Sequence, residues 1–296
     1  MTERSTAGPL PRIARLLRDA LLLLVSVLFV APVAWSLMSA FKSHTDIKAH
    51  PWALPTKVAW SNFAEAWSGH MGLYLLNSIV VTALAVGIIL LLAAPAAYAF
   101  ARLRFPSSSV LLGLILSGML IPVHAVLIPL YQFNPASALL RWASAFGPAA
   151  WLDDHFGGWI AVLGPYVAFG LPLAVLMLRA YFLGIPSELS DAALIDGCSH
   201  WRTLRSVFLP VARPALATVA IFQGAWIWNE LVLAMVFINE PSQRTLTIGL
   251  MSFQGEHATD WGVVMAGVFM AVVPVLALYA ILQKHIIRGL TAGAFR

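Results

Sequence analysis

With 60% hydrophobic and only 10% charged residues over 296 positions, the chain departs from soluble domains, which are about 45–50% apolar and about 25% charged. Such an apolar load excludes an ordinary soluble fold, and the net charge of +5 calls for no nucleic-acid partner, because topology and anionic lipid headgroups account for it. The length suits one or two soluble domains, but the apolar residues fall in long blocks, and the expectation is one all-α membrane domain.

A bilayer core of about 30 Å takes about 20 apolar residues in helix. Six stretches of that size occur, at about Ala20–Ala40, Leu75–Phe100, Val110–Tyr131, Trp159–Leu178, Ala215–Phe237 and Gly262–Leu282. The predicted layout is a cytoplasmic N-terminal segment 1–19, a six-helix transmembrane domain 20–288 and a cytoplasmic tail 289–296. Basic residues precede Leu21–Val30 and small residues follow at Ser39 and Ala40, as in a signal peptide, but the apolar run is longer than such a peptide's and reads as an uncleaved first helix. Pro32, Pro95, Pro122, Pro129, Pro165, Pro172 and Pro274 lie inside the stretches and are read mostly as kinks, which neighbouring helices tolerate. Counted by loop, 13 of the 18 Lys and Arg fall on the side of the N-terminus, which places both termini in the cytoplasm. The single Cys198 forms no internal disulfide, and no ligand spacing marks a metal site.

Between spans one and two, Phe41–Tyr74 carries Trp52, Trp60 and Trp67, most simply an aromatic belt at the membrane interface. The next outer loop, about 132–158, holds Asp153, Asp154 and His155 among aromatics; sugar contact and interface anchoring both explain it.

The segment between spans four and five, about 183–210, is too polar for the membrane core and rich in helix signals. Ser187 is a candidate cap for a short helix with Glu188 and Asp191 in its first turns, Gly197 fits the left-handed position that ends it, and Ser199 caps a second helix running to Pro210. The reading is helix, turn, helix on the cytoplasmic face, with Leu189, Ala192, Ala193 and Leu194 as an apolar surface open to a partner.

In span five, Gln223, Trp226 and Glu230 fall at i, i+3 and i+7 and share one face, with Asn229 beside them. Glu230 is the one acid placed within a span, where charge is costly. A sugar path needs hydrogen-bonding groups and rings of this kind, and a polar clamp between helices needs the same groups.

At the cytoplasmic segment the sequence resembles the inner-membrane permease subunits of binding-protein-dependent ABC importers. Their signature is Glu-Ala-Ala, three residues, Gly, nine residues, then Ile-x-Leu-Pro; here Asp191-Ala192-Ala193, Gly197, Val207 and Leu209-Pro210 stand at that spacing. Asp191 replaces the family's Glu and Val207 its Ile, and the shorter acid puts a contact to the ATPase at that position in doubt. Further matching runs are Asn77-Ser78, Ala96–Pro106, Ile128–Tyr131, Ile185–Leu189, Trp228–Glu230, Asp260–Gly262 and Gly289–Arg296, closest to the carbohydrate branch that includes the second permease of the maltose system.

The resemblance implies a heterodimer with a second permease, two cytoplasmic ATPase subunits and an extracytoplasmic sugar-binding protein, in the bacterial inner membrane. It implies that Glu188, Asp191, Ala192, Ala193, Gly197, Leu209 and Pro210 form a coupling helix seated in the ATPase. It also implies that the outer loop of about Asn239–Asp260 meets the binding protein, with Thr247, Gly249, Gln254 and Gly255 as contacts, and that the tail after Gly289 touches the ATPase pair. No phosphate-cradling GxxxxGK[ST] loop, HExxH or GxSxG occurs, so the expectation is no enzyme and no bound cofactor, with ATP and Mg used by partner subunits. An ion-driven secondary transporter, for which six spans without a charged relay speak poorly, and a permease for a non-sugar solute remain the alternatives.

Overall fold

The computed structural model describes residues 12–133, 148–253 and 259–294. Among them the regular elements are helices: α1 (Arg12–Ser39), α2 (His44–Ala49), α3 (Ser61–Ala66), α4 (Gly72–Arg102), α5 (Ser108–Ser117), α6 (Leu127–Gln132), α7 (Pro148–Gly184), α8 (Ser187–Ile195), α9 (His200–Val211), α10 (Arg213–Asn229), α11 (Val232–Phe237), α12 (Leu246–Ser252) and α13 (Trp261–Ala294). The chain divides into two units, Met1–Gly69 with Phe253–Met270, and His70–Ser252 with Ala271–Arg296.

In the first unit, α1 is apolar around its circumference from Ala20 onward, past the charged Arg12, Arg15, Arg18 and Asp19, and Leu23, Phe29 and Val30 are all exposed. A helix hydrophobic on all sides belongs in lipid or against another chain. After it the chain closes on a small core in which Ala40, Ala66, Val263 and Ala266 are buried and the rings of Phe41, Phe63 and Phe269 meet. Asn62 Nδ2 donates to the carbonyls of Ala40 and Lys42 at 2.9 and 2.8 Å, which fixes the turn out of α1. Lys42 is itself buried, its Nζ donating to His50 O at 3.0 Å and Pro51 O at 3.1 Å, so its charge is met by carbonyl dipoles. Trp52, Trp60 and Trp67 keep exposed rings.

The second unit has its core where α4 packs on α7 and α10. On α4 the buried positions Val81, Ala85, Ile89, Ala93 and Ala97 recur every fourth residue, a stripe of mostly small side chains that lets backbones come close. Facing them are Val162, Tyr166, Val175, Leu178 and Phe182 of α7 and Val219 and Ile227 of α10, all buried.

Among the described residues three helices, Arg12–Ser39, Ser61–Arg102 and His155–Gly184, are long and apolar enough to cross a membrane, and the number is up to five if each of two bent pairs is one span. Trp261–Ala277 is a shorter apolar stretch at the start of α13. The expected third span is not one straight helix: Ser108–Leu120 and Val123–Gln132 meet at 94° around Ile121-Pro122. Pro122 has no N–H to continue the ladder and drives Ile121 to φ −84°, ψ 112°. By contrast Pro32, Pro95, Pro165, Pro172 and Pro274 sit inside unbroken helices. The expected fifth span is likewise interrupted, since α10 ends at Asn229, Glu230 is extended (φ −71°, ψ 129°) and α11 starts at Val232.

Candidate functional site

Three places hold the residues singled out from the sequence. The first is α8 and α9. α8 begins at Ser187 with Pro186 ahead of it at φ −54°, ψ 140°, and no side chain caps it, so Ser187 is the first helical residue and not the cap. Its end follows the expected chemistry: Gly197 has φ +76°, its N–H donates to Leu194 O at 3.0 Å, and Cys198 N–H donates to Ala193 O at 2.9 Å. These two bonds satisfy carbonyls left over at the helix end, and only glycine takes that backbone angle without strain. Ser199 then caps α9, its Oγ accepting from Arg202 N–H at 3.4 Å. α9 continues through a π-helical stretch, Leu204–Phe208, to Val211 and meets α10 at 77°.

The burial pattern divides this segment in two. Ala193, Thr203, Leu204 and Phe208 are buried inward, whereas Glu188, Asp191 and Ala192 are exposed. Leu189 (42%), Leu194 (45%), Ile195 (86%) and Trp201 (62%) form an uncovered apolar face. Leu209 is half-buried and Pro210 exposed at the inner end. Ile195 and Trp201 are the most open of these and fall outside the apolar set Leu189, Ala192, Ala193 and Leu194 expected from the sequence, Ile195 being the last residue of α8 and Trp201 lying past the Gly197 stop.

The second place is the break at Glu230. The half-buried Glu230 carboxylate accepts from Leu233 N–H at 2.8 Å, from Ala234 N–H at 3.1 Å and from the Tyr166 hydroxyl at 3.0 Å. The acid therefore neutralises the N-terminal end of α11 and ties it to α7, which offsets much of the cost of a charge at this depth. Trp226 meets the Tyr166 ring edge-on at 5.9 Å. Gln223 is buried, its Nε2 donating to Gly170 O at 2.9 Å, and Asn229 is exposed with its Nδ2 donating back to Ala225 O at 2.7 Å. Tyr166 thus gathers Trp226 and Glu230, while Gln223 points into the contact with α7. No local motif marks Tyr166, whose partner lies 64 residues on.

The third place is the 239–252 segment, which folds back on the helices. Asn77 Nδ2 of α4 donates to the carbonyls of Ser242 and Arg244, both at 2.9 Å, and Ser78 Oγ accepts from Leu246 N–H at 2.7 Å. Gln243 Oε1 accepts from Gly158 N–H at 2.7 Å, and its carbonyl from Trp159 Nε1 at 2.8 Å. Thr247 Oγ1 donates to Glu230 O at 2.8 Å, joining this segment to the break. Gly249 is buried against Tyr74, where a Cβ would lie 2.2 Å from the ring. Gln254 and Gly255 lie outside the described residues.

Residues 89–292 match the family described as binding-protein-dependent transport system inner membrane component. Among curated proteins, the chain is 34% identical to the Diacetylchitobiose uptake system permease protein NgcG of Streptomyces coelicolor, over 94% of this chain and 87% of that one. It is 33% identical to the Sulfoquinovosyl glycerol transport system permease protein SmoH of Agrobacterium fabrum, over 94% and 92%. It is 36% identical to the Alpha-glucoside transport system permease protein AglG of Rhizobium meliloti, over 82% and 61%. In fold it is similar to a chain of a bacterial ABC transporter involved in the import of the acidic polysaccharide alginate, with a TM-score of 0.73 at 22% identity, covering 96% of this chain and 98% of that chain.

Proposed function

This chain belongs to the family of inner-membrane components of binding-protein-dependent transport systems, and from that premise we propose that it is one permease of an ATP-driven sugar importer. Membership makes it a transport subunit of the inner membrane, not a catalytic one. The sugar cargo follows from the relatives, whose names specify diacetylchitobiose, sulfoquinovosyl glycerol and alpha-glucosides.

The observation that carries the reading is the uncovered apolar face of α8 and α9 on a segment held rigid by the Gly197 turn. Exposed Leu194, Ile195 and Trp201 are costly in water and useful only against a partner. In the proposed complex six spans place both termini in the cytoplasm, α8 is the coupling helix, and Glu188, Asp191, Ala192, Ala193, Gly197, Leu209 and Pro210 form or support the seat for an ATPase subunit. A second permease completes the pathway and two ATPase subunits use ATP and Mg, this chain binding no cofactor. The tail after Gly289 reaches the ATPase pair.

On the opposite face the 239–252 segment, with Thr247 and Gly249 as its structural members, and Gln254 and Gly255 beyond it, meets the sugar-binding protein. Trp226 and Asn229, the exposed members of the span-five set, touch the sugar; Gln223 and Glu230 hold the helices that shape its path.

The test is reconstitution with the second permease and ATPase subunits in vesicles, with the cognate binding protein titrated against a panel of oligosaccharides. The expected result is ATP-dependent uptake of a sugar that the binding protein binds, and no uptake when either ATPase or binding protein is left out. Uptake driven by an ion gradient without ATP would establish the secondary transporter instead.

A further inference from the structure

α4 contributes to this architecture a side chain that the resemblance gives no role. Arg102, the last residue of α4, reaches across to the end of α7, where Nη2 donates to Phe182 O at 2.7 Å and also to Ile185 O. Both carbonyls lie at the end of α7, where a helix carries partial negative charge, and Phe182 O also accepts from Ile185 N–H at 3.2 Å. Ile185 is separated from the first residue of α8 only by Pro186. The same guanidinium lies over the ring of Phe208 in α9, 5.1 Å from its centroid. Phe208 is fully buried and meets Tyr98 edge-on at 4.9 Å and Phe182 at 5.6 Å. One side chain therefore grips α4, the end of α7 and α9 together.

Arginine suits the task because its fork cannot lose its proton, presents several donors in fixed directions and stacks on a ring; lysine offers a single point charge. Arg179 of α7 answers with one bond, Nε to Phe100 O at 3.3 Å, but that bond stops at the α4–α7 pair. Arg102 Nε is buried and has no hydrogen-bond partner among the described residues.

We infer that Arg102 is a positioning residue that transmits displacement of the coupling segment into the membrane helices, by holding the carbonyl end of α7 and the Phe208 ring of α9 to α4. This rests on the reading of α8 and α9 as the ATPase seat. The segment alone can dock, but without a grip on α4 and α7 its movement is spent in its own bending.

The assembled transporter, with the second permease and ATPase subunits, carries spin labels at Cys198 and at an Ile79→Cys substitution, Ile79 being half exposed on α4. Mg-ATP with vanadate is the trigger. The Arg102-intact complex is expected to give one narrow label-to-label distance that shifts on trapping. Arg102→Met is expected to lose that shift while ATPase subunits still co-purify at the level of the intact chain, Arg102→Lys to recover part of it, and Phe208→Leu to diminish it. If Arg102→Met fails to accumulate, Arg102→Gln carries the same comparison. An undiminished shift in both the Arg102 and Phe208 variants overturns the inference and leaves the docking reading standing. Absence of ATPase co-purification with the intact chain overturns the docking reading, and the inference with it.

Discussion

The 239–252 segment and the α8–α9 segment are both built of short helices and turns, yet one is tied to its neighbours by hydrogen bonds and the other leaves an apolar face uncovered. In 239–252, Asn77, Ser78 and Trp159 engage backbone groups that a loop would otherwise offer to water, the Gln243 and Thr247 side chains tie the segment to Gly158 N–H and Glu230 O, and Gln243, Leu246 and Ile248 are buried. In α8–α9 the backbone is closed by the Gly197 turn, but the side chains of Ile195 and Trp201 face outward with nothing over them. A segment whose backbone is tied to its neighbours by such bonds holds its shape before a partner arrives and presents a preset surface. One with uncovered apolar side chains gains from the partner what its own fold leaves unmade. In the proposed complex the difference separates a rigid presenter from a docking surface.

The sharpest way to break the contrast is charge on the docking face. Ile195→Glu with Trp201→Glu is expected to abolish co-purification of the ATPase subunits, because an unpaired charge would be trapped in an apolar contact and anchors of this kind are worth about 2 kcal/mol or more each. The thermal midpoint of the permease should stay unchanged, since both side chains are exposed within this chain. A fall in that midpoint would mean that the face packs inward. On the other segment the signs reverse. Asn77→Ala leaves the carbonyls of Ser242 and Arg244 without their donor, at a cost of about 1–3 kcal/mol. Calorimetry of the solubilised chain should show a lower midpoint, and the ATPase subunits should still co-purify. Equal loss of both properties would dissolve the distinction.

Gly197→Val gives the smallest expected effect. A Cβ there meets nothing within 4 Å, so the cost is that of the +76° backbone alone, about 1–2 kcal/mol. Insertion in the membrane should persist while binding-protein-stimulated ATP hydrolysis falls, as the two short helices lose their fixed angle. An unchanged hydrolysis rate and unchanged uptake would make the segment an ordinary loop.

Local chemistry explains what was legible beforehand. Gly197 and Ser199 were readable because a helix end and a helix cap are decided within a few residues, and α4 and α7 because long apolar runs have few alternatives in a bilayer. The breaks were not. Pro122 turns its chain by 94° while Pro95 sits in an unbroken helix; the alanines around Pro95 favour helix and the β-branched Ile121 and Val123 around Pro122 do not, but the difference in propensity is too small to foretell a break. Glu230 looked like one face of a continuous helix because i, i+3 and i+7 spacing assumes the helix goes on; its carboxylate instead starts the next helix, with a partner on α7. Arg102 and Tyr98 lay in the run Ala96–Pro106, whose likeness to the family was plain, but their contacts to Phe182, Ile185 and Phe208 depend on chain 80 and more residues away.

The Tyr166 to Glu230 bond also sets an order of events while the chain is made. Synthesis proceeds at about 5–20 residues per second, so the hydroxyl, 64 residues upstream, precedes the acid by about 3–13 s. α7 can be in place before α10 and α11 leave the ribosome, and Gln223 likewise finds the Gly170 carbonyl, 53 residues earlier, already laid down. Two further bonds to the carboxylate come from amides only three and four residues behind it. An acid that would be expensive to leave in a half-finished bundle therefore enters with one ligand waiting and two close behind.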